Sequence, residues 1–333
     1  MKYRQTKVYH DGSHYVGIQR TPRERQYRPR EKEEVFFFDG EPAEEEREKT
    51  ETTLPETEPK EVEKPKDLPE QRCVTKSGEF NRLYDESRQM RRWERKQYIL
   101  KNIRPLFKSD QEAASYVDKK LRDKKRALAE RRLRFRRKAY MNDFNCVATF
   151  TYADGKHTEE SFRKTFMNCL HRLRTRKGWK YMGVWERAPK TGRLHFHGFV
   201  YVPEGGMPGE LFKKQDYNVN THRMQTTTQN TYFNEMFGRC DFDSVVRVPQ
   251  MYDRAVEYIL KYLEKSGEKL VYSRGTPTYL VTDVDEEDVL GRMGEDGKKM
   301  VLPDNFGCWD GDKYLGRVNG REGTCEEGKL KVR

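Results

Sequence analysis

The stretch "GRLHFHGFVY", residues 192–201, sets two histidines two positions apart in an otherwise apolar, aromatic run. A β-strand alternates its faces, so His195, His197, Phe199 and Tyr201 share one side and Leu194, Phe196, Gly198 and Val200 the other. Two neighbouring imidazoles on one face can reach a single ion. Just before them, "RAPKTGR" has turn chemistry and "WKYMGVWE" (179–186) reads as a strand, which makes the pair a hairpin. That hairpin lays Glu186 near His195. Such a glutamate can be no more than the solvated start of a turn. As a ligand it adds one hard oxygen to two imidazoles, a mixed set that suits Mg²⁺ or Mn²⁺ acting on phosphate.

The same pattern extends on both sides. "NCVATFTY" (145–152) is β-branched and aromatic, a strand. A helix opens near Thr158 and runs through Phe162, Phe166, Leu170 and Leu173 to Gly178. Residues 203–228 are polar and take no assignment. Then follow a short helix ("TYFNEMFG"), a strand over 240–248, a helix over 250–266 and a last strand, "KLVYSRG" (269–275). The order β-α-β-β-α-β-α-β predicts an α+β fold, an antiparallel sheet with helices on one face.

Composition divides the chain further. Of 333 residues only 34% are hydrophobic and 37% are charged, with a formal net charge of +12. Low apolar content predicts a part that does not fold, and the positive balance predicts a polyanionic partner, nucleic acid. Residues 41–70 hold twelve acidic against five basic side chains and five prolines, which reads as a disordered acidic linker. Residues 88–138 invert the balance, with twenty Lys or Arg against six acids. Two basic helices broken near Pro105 are expected there, too lopsided for ordinary intrahelical ion pairs. Arg131, Arg132, Arg134, Arg136 and Arg137 are the candidate phosphate contacts. The boundaries this implies are a largely disordered region (1–75), a basic helical DNA-binding region (76–140), a catalytic domain (141–285) and a peripheral tail (286–333).

The six cysteines form no Cys-x-x-Cys pair, which argues against a zinc module, and nothing suggests a disulfide framework. No apolar run approaches the 18 residues or so of a membrane helix, and a signal-peptide core is not evident, so a reducing cytoplasm is the expected location. A Gly-x-x-x-x-Gly-Lys-Ser/Thr loop is absent from the sequence. Any unwinding is therefore assigned to a host helicase, with a host polymerase extending the product.

The helix "MYDRAVEYILKYLEKSG" (251–267) completes the set. Val256, Ile259, Leu260 and Leu263 form its core-facing stripe, while Tyr258, Lys261, Tyr262 and Lys265 stand at i, i+3, i+4 and i+7. A phenol with a pKa near 10 is a poor nucleophile, and an adjacent ammonium such as Lys261 is expected to lower it. Lys265 can steady phosphate oxygens. Together these parts predict phosphoryl transfer onto Tyr258 or Tyr262, at a phosphodiester polarised by an ion on His195, His197 and Glu186.

On "TFTY" (149–152), "HFHGF" (195–199) and "YILKY" (258–262), in that order, residues 145–282 resemble the HUH endonucleases, specifically the two-tyrosine rolling-circle replication initiators of phages and plasmids. The resemblance implies an RRM- or ferredoxin-like sheet, nicking of single-stranded origin DNA, a 5′-phosphotyrosine link and a free 3′-hydroxyl for priming. The first motif is shorter than the family's Thr-rich form, so the resemblance leaves its role open. Two alternatives share these features: a transposase of the same class, and a non-catalytic RNA- or DNA-binding protein with an RRM-like sheet. The latter explains the charge and the aromatics but leaves the His, His, Glu set without a task.

Overall fold

The computed structural model describes residues 2–19, 35–36, 74–188, 191–218, 222–244, 249–266, 270–318 and 331–332. The expected acidic linker, residues 41–70, lies outside the described residues. The chain divides into two compact units, Met1–Arg23 with Leu128–Arg333, and Glu24–Ala127.

Residues 2–18, expected within a disordered region, form strands β1 (Lys2–His10) and β2 (Tyr15–Ile18), which pair with each other. Their polar composition hides the reason. Val8, Tyr9, Tyr15 and Val16 are buried, so the few apolar side chains present all serve a core. In the unit Glu24–Ala127, β3 (Val35–Phe36) pairs with β4 (Val74–Thr75) ahead of helices α1 (Lys76–Glu86) and α2 (Arg92–Ile103). A long helix, α3 (Asp110–Tyr140), follows. The break at Pro105 is a single 3-10 turn at Arg104–Leu106, as a proline without an N–H dictates. Phe80, Leu83, Ile99, Ile103, Phe107, Ala113 and Val117 make this unit's core.

The central sheet has the order β10-β5-β7-β6-β11, every neighbour antiparallel. Its strands are β5 (Cys146–Thr151), β6 (Lys180–Arg187), β7 (Leu194–Tyr201), β10 (Cys240–Ser244) and β11 (Val271–Tyr272). Interspersed are α4 (Glu159–Lys177), the hairpin β8 (Leu211–Asn218) and β9 (Arg223–Asn230), α5 (Thr231–Met236) and α6 (Pro249–Ser266). The α+β assignment and the element order hold; residues 245–248 of the expected strand 240–248 lie outside the described residues. Helix α4 starts and stops where expected: Thr158 Oγ1 accepts from Ser161 N, and Gly178 ends it at φ +71°.

The expectation of helices on one face is corrected. Phe162, Phe166 and Leu170 of α4 pack with Phe150, Trp185, Phe196 and Val200 on one side. On the other, Val256, Ile259, Leu260 and Leu263 of α6 and Phe135 of α3 pack with Met182, Val184 and Phe199. Both parities of β6 and β7 are apolar, and a sheet apolar on both faces needs cover on both. The sheet is also pinched at one point. Gly183 and Gly198 face each other across β6 and β7, and Phe196 lies over them.

A second sheet, also unexpected, has the order β13-β14-β2-β1-β12-β15-β16, with β17 also pairing β12. It joins the N-terminal pair to β12 (Leu280–Asp285), β13 (Gly291–Met293), β14 (Lys299–Leu302), β15 (Gly307–Asp310), β16 (Lys313–Arg317) and β17 (Lys331–Val332). Residues 286–318, expected as a peripheral tail, thus belong to a core with Leu280, Val284, Met300, Leu302, Phe306 and Cys308. Among the described residues no helix is long and apolar enough to cross a membrane.

Candidate active site

The site lies on the α6 side of the central sheet and follows from strand parity. In the register of β6 and β7, Glu186 stands opposite His195 and Val184 opposite His197; in that of β5 and β7, Thr151 stands opposite His195 and Thr149 opposite His197. All of these side chains therefore leave the sheet on one face. Thr151 Oγ1 lies 2.8 Å from His195 Nδ1, and Thr149 Oγ1 lies 3.0 Å from His197 Nδ1. The sequence placed "TFTY" in a strand without assigning its threonines; their task is to fix the rings. The signal was there in the i, i+2 spacing of Thr149 and Thr151, which matches that of His195 and His197. Only the β5–β7 pairing shows that the two pairs coincide.

His197 Nε2 contacts Glu186 Oε2 at 3.1 Å, and both residues are 7% exposed. Two tautomers satisfy His197: Nε2–H donating to Glu186 while the Thr149 hydroxyl donates to Nδ1, or Nδ1–H donating to Thr149 with the Nε2 lone pair turned outward. His195 sits with its ring centroid 6.0 Å from that of His197. Burial, and then the neighbouring His197, holds the His195 imidazole below its usual pKa, which keeps it neutral. A neutral ring tied at Nδ1 is in the protonation state a metal requires.

As they stand, His195, His197 and Glu186 adjoin but do not converge on one point. Among the described residues no three His, Cys, Asp or Glu side chains are in ligating arrangement. Two of the expected donors are instead spent on each other in the His197–Glu186 contact. The donor types, two imidazoles and one carboxylate with both rings held by hydroxyls, are those that fit a divalent ion with open positions.

Helix α6 brings both tyrosines over this patch. Tyr262 stacks on His197, with ring centroids 4.1 Å apart and planes 10° from parallel. Tyr258 stands edge-on to Tyr262 at 4.9 Å and to His197 at 6.3 Å. The two differ in access: Tyr258 is 46% exposed, whereas Tyr262 is half-buried at the rim of the α6 core. The expected lowering of the phenol pKa is corrected for Tyr262. Burial first, then a hydrogen bond with Tyr258 and the Glu186 carboxylate, drive it well above the ordinary phenol range. Lys261 is exposed on the same helix. Lys265 lies in the last turn of α6, and its side chain lies outside the described residues.

The candidate phosphate contacts on α3 separate by role. Arg136 pairs with Glu257 of α6, and the Arg137 guanidinium lies 3.6 Å from the Tyr9 ring centroid. These two brace the helix. Arg134 is exposed, and Arg131 and Arg132 are half-buried. Beside them Phe135 and Ala139 are buried, and the Tyr140 hydroxyl donates to Asp253 of α6 at 2.7 Å.

No curated protein and no solved structure matches the chain. Residues 145–267, which carry all three motifs, match the family model of the ORF2-type replication-associated proteins. Over that segment the chain belongs to the ORF2 family of replication-associated proteins.

Proposed function

We propose that this replication protein is a rolling-circle initiator that nicks single-stranded origin DNA by tyrosine attack. The observation that carries the reading is the stack of Tyr262 on His197, with Tyr258 against it. It brings two phenols one helical turn apart onto the face where two imidazoles and a carboxylate meet.

In this reading Tyr258, the accessible phenol, attacks phosphorus. The Tyr258 Oη–P bond forms, the bond from phosphorus to O3′ breaks, the phenol proton passes to solvent and the departing O3′ takes up a proton. The product is a 5′-phosphotyrosine and a free 3′-hydroxyl. His195, His197 and Glu186 would hold Mg²⁺ or Mn²⁺, whose chemistry when bound is Lewis-acid polarisation of the scissile phosphate. Thr149 and Thr151 orient the two imidazoles. Tyr262 holds His197 in place by stacking, and its raised pKa keeps it a hydrogen-bond donor beside Tyr258 during the first cut. It then serves as the second nucleophile, which lets one protein cleave the regenerated origin while the first end stays attached. Lys261 and Lys265 steady phosphate oxygens, and a host helicase and polymerase act on the nicked product.

The test is incubation of the protein with Mn²⁺ and a pool of randomised, end-labelled single-stranded oligonucleotides, with adducts mapped by peptide mass spectrometry. Adducts are expected on Tyr258 in the wild type and on Tyr262 in Tyr258→Phe, with Tyr262→Phe still nicking but rejoining poorly. An adduct on neither residue would overturn the reading. If Tyr262 never carries DNA, the alternation between the two falls.

A further inference from the structure

The segment 203–228, which the sequence left without an assignment, contains half of a two-stranded ribbon. Strands β8 and β9 pair over eight positions, from Leu211 opposite Asn230 to Asn218 opposite Arg223, and among the described residues neither pairs with any other strand. Residues directly opposite share a face. One face therefore carries Phe212, Lys214, Asp216, Arg223, Gln225, Thr227 and Gln229, and it is tied down. Asp216 accepts from Gln229 at 3.0 Å and from Thr227 at 3.3 Å, and pairs with Arg239 at 3.2 Å and Lys214 at 3.8 Å.

The other face is open. Lys213, Gln215, Tyr217, Met224 and Thr226 are all exposed, Tyr217 by 55% and Met224 by 61%. This face has no acidic residue, because the one carboxylate of the ribbon, Asp216, points the other way and is neutralised there. What it offers is a lysine, an amide and a hydroxyl at strand spacing, with an apolar Tyr217–Met224 pair toward the tip. A two-stranded ribbon fits the B-DNA major groove, roughly 12 Å wide, and these are the side-chain types that read base edges there. Lysine suits guanine O6 and N7, glutamine suits adenine N6 and N7, and an apolar tip suits the thymine methyl. Single strands are held differently, by successive stacking aromatics. The open face holds one aromatic, Tyr217.

We propose that the open face of the β8–β9 ribbon reads duplex DNA in a major groove, gripping a base-paired arm beside the single strand that is cut. The inference rests on the nicking reading above and names a second, double-stranded element of the same substrate.

The experiment takes the full-length protein through affinity selection from a pool of randomised short duplexes, in parallel with the triple variant Lys213→Ala/Gln215→Ala/Thr226→Ala. The wild type is expected to enrich a duplex consensus in which guanine N7 methylation blocks binding. The triple variant should lose that enrichment and bind the selected duplex on the order of tenfold or more weakly. Its adduct formation with single-stranded oligonucleotides should match the wild type, which also shows that it is folded. The single variant Gln215→Glu, which sets a carboxylate against base acceptors, should lose the same duplex. The proposal is overturned if the wild type enriches no duplex, if the variants keep the consensus, or if they change the oligomeric state instead, which would make the face a contact between copies. Absence of adducts in every protein would sink the nicking reading while the duplex selection still reports on the ribbon.

Discussion

Thr149 and Thr151 look like ordinary strand residues, yet each holds the Nδ1 of one imidazole. Replacing Thr151 by valine keeps the shape and removes the hydroxyl. Where such a partner orients a ligating histidine, its loss costs about 10–100-fold in metal affinity. Thr151→Val should therefore weaken Mn²⁺ binding by that order, read by calorimetric titration, with an unchanged melting curve; equal affinity would show that the threonine only packs. A second residue-scale prediction concerns Lys138, whose ammonium is buried, donates to the Thr276 carbonyl and lies 4.2 Å from the Tyr272 ring centroid. Burial, reinforced by Arg134, lowers its pKa to about 8. The unfolded chain keeps this proton to about pH 10.4 while the folded chain releases it near 8, so in that window the unfolded state binds more protons and stability rises with pH. Lys138→Met should flatten that rise, on the order of 2–3 kcal/mol across the window, in denaturation curves taken from pH 7 to about 10. An equal pH slope in both proteins would mean that the ammonium is solvated.

Among the elements, β6 and β7 are joined at a point where neither can carry a side chain. A Cβ on Gly198 would stand 2.6 Å from the Met182 carbonyl oxygen and 2.8 Å from the Phe196 ring, and one on Gly183 would stand 2.5 Å from both the His197 carbonyl oxygen and Phe196. The glycine pair is what lets Phe196 lie across the hairpin, and the hairpin sets the positions of Glu186, His195 and His197. Gly198→Ala forces a shift of backbone, a rigid neighbour, at about 1–3 kcal/mol. It should lower the melting temperature and reduce cleavage together; wild-type values for both would contradict the close approach. Helix α3 makes the opposite point, because its charges are not equivalent. Arg134→Gln should reduce the slope of log K against log salt for DNA binding by about 0.7–0.9, the share of one phosphate contact, and leave stability unchanged. Arg136→Gln breaks a half-exposed pair with Glu257, worth about 0.2–1 kcal/mol, and should leave the salt slope as it was. The reverse assignment of the two effects would reverse their roles.

At the scale of the molecule, the second sheet is made from both ends of the chain. Strand β1 lies between β2 and β12, and β2 between β1 and β14, so the N-terminal pair connects the strands from residues 280–317 to one another. Val8, Tyr9, Tyr15 and Val16 fill the core shared with Leu280, Met300 and Leu302, each side chain worth about 1.5–3 kcal/mol when buried. Deleting residues 2–18 should leave residues 280–318 open to limited proteolysis while the central sheet stays protected. Equal protection of both would show that the second sheet stands without its N-terminal strands.

Local chemistry determined much of this protein. Alternating faces put His195 and His197 together, a turn sequence paired them with the strand of Glu186, and helical spacing put Tyr258 and Tyr262 one turn apart. Period, parity and capping act over a few residues, so the central α+β order and the neighbourhood of the candidate site were legible from the chain alone. Three things were not. The ribbon β8–β9 is polar on both strands, so no apolar alternation marks it, and its inner face is fixed by the Asp216 network rather than by a core. The N-terminal strands read as polar chain because their few apolar residues gain a core only from partners some 270 residues away in sequence. The unequal tyrosines are the third: spacing makes Tyr258 and Tyr262 alike, and only the stack on His197 buries one phenol, raises its pKa and leaves the other exposed. In each case the deciding contact is long-range, and a contact of that kind leaves no period in the sequence.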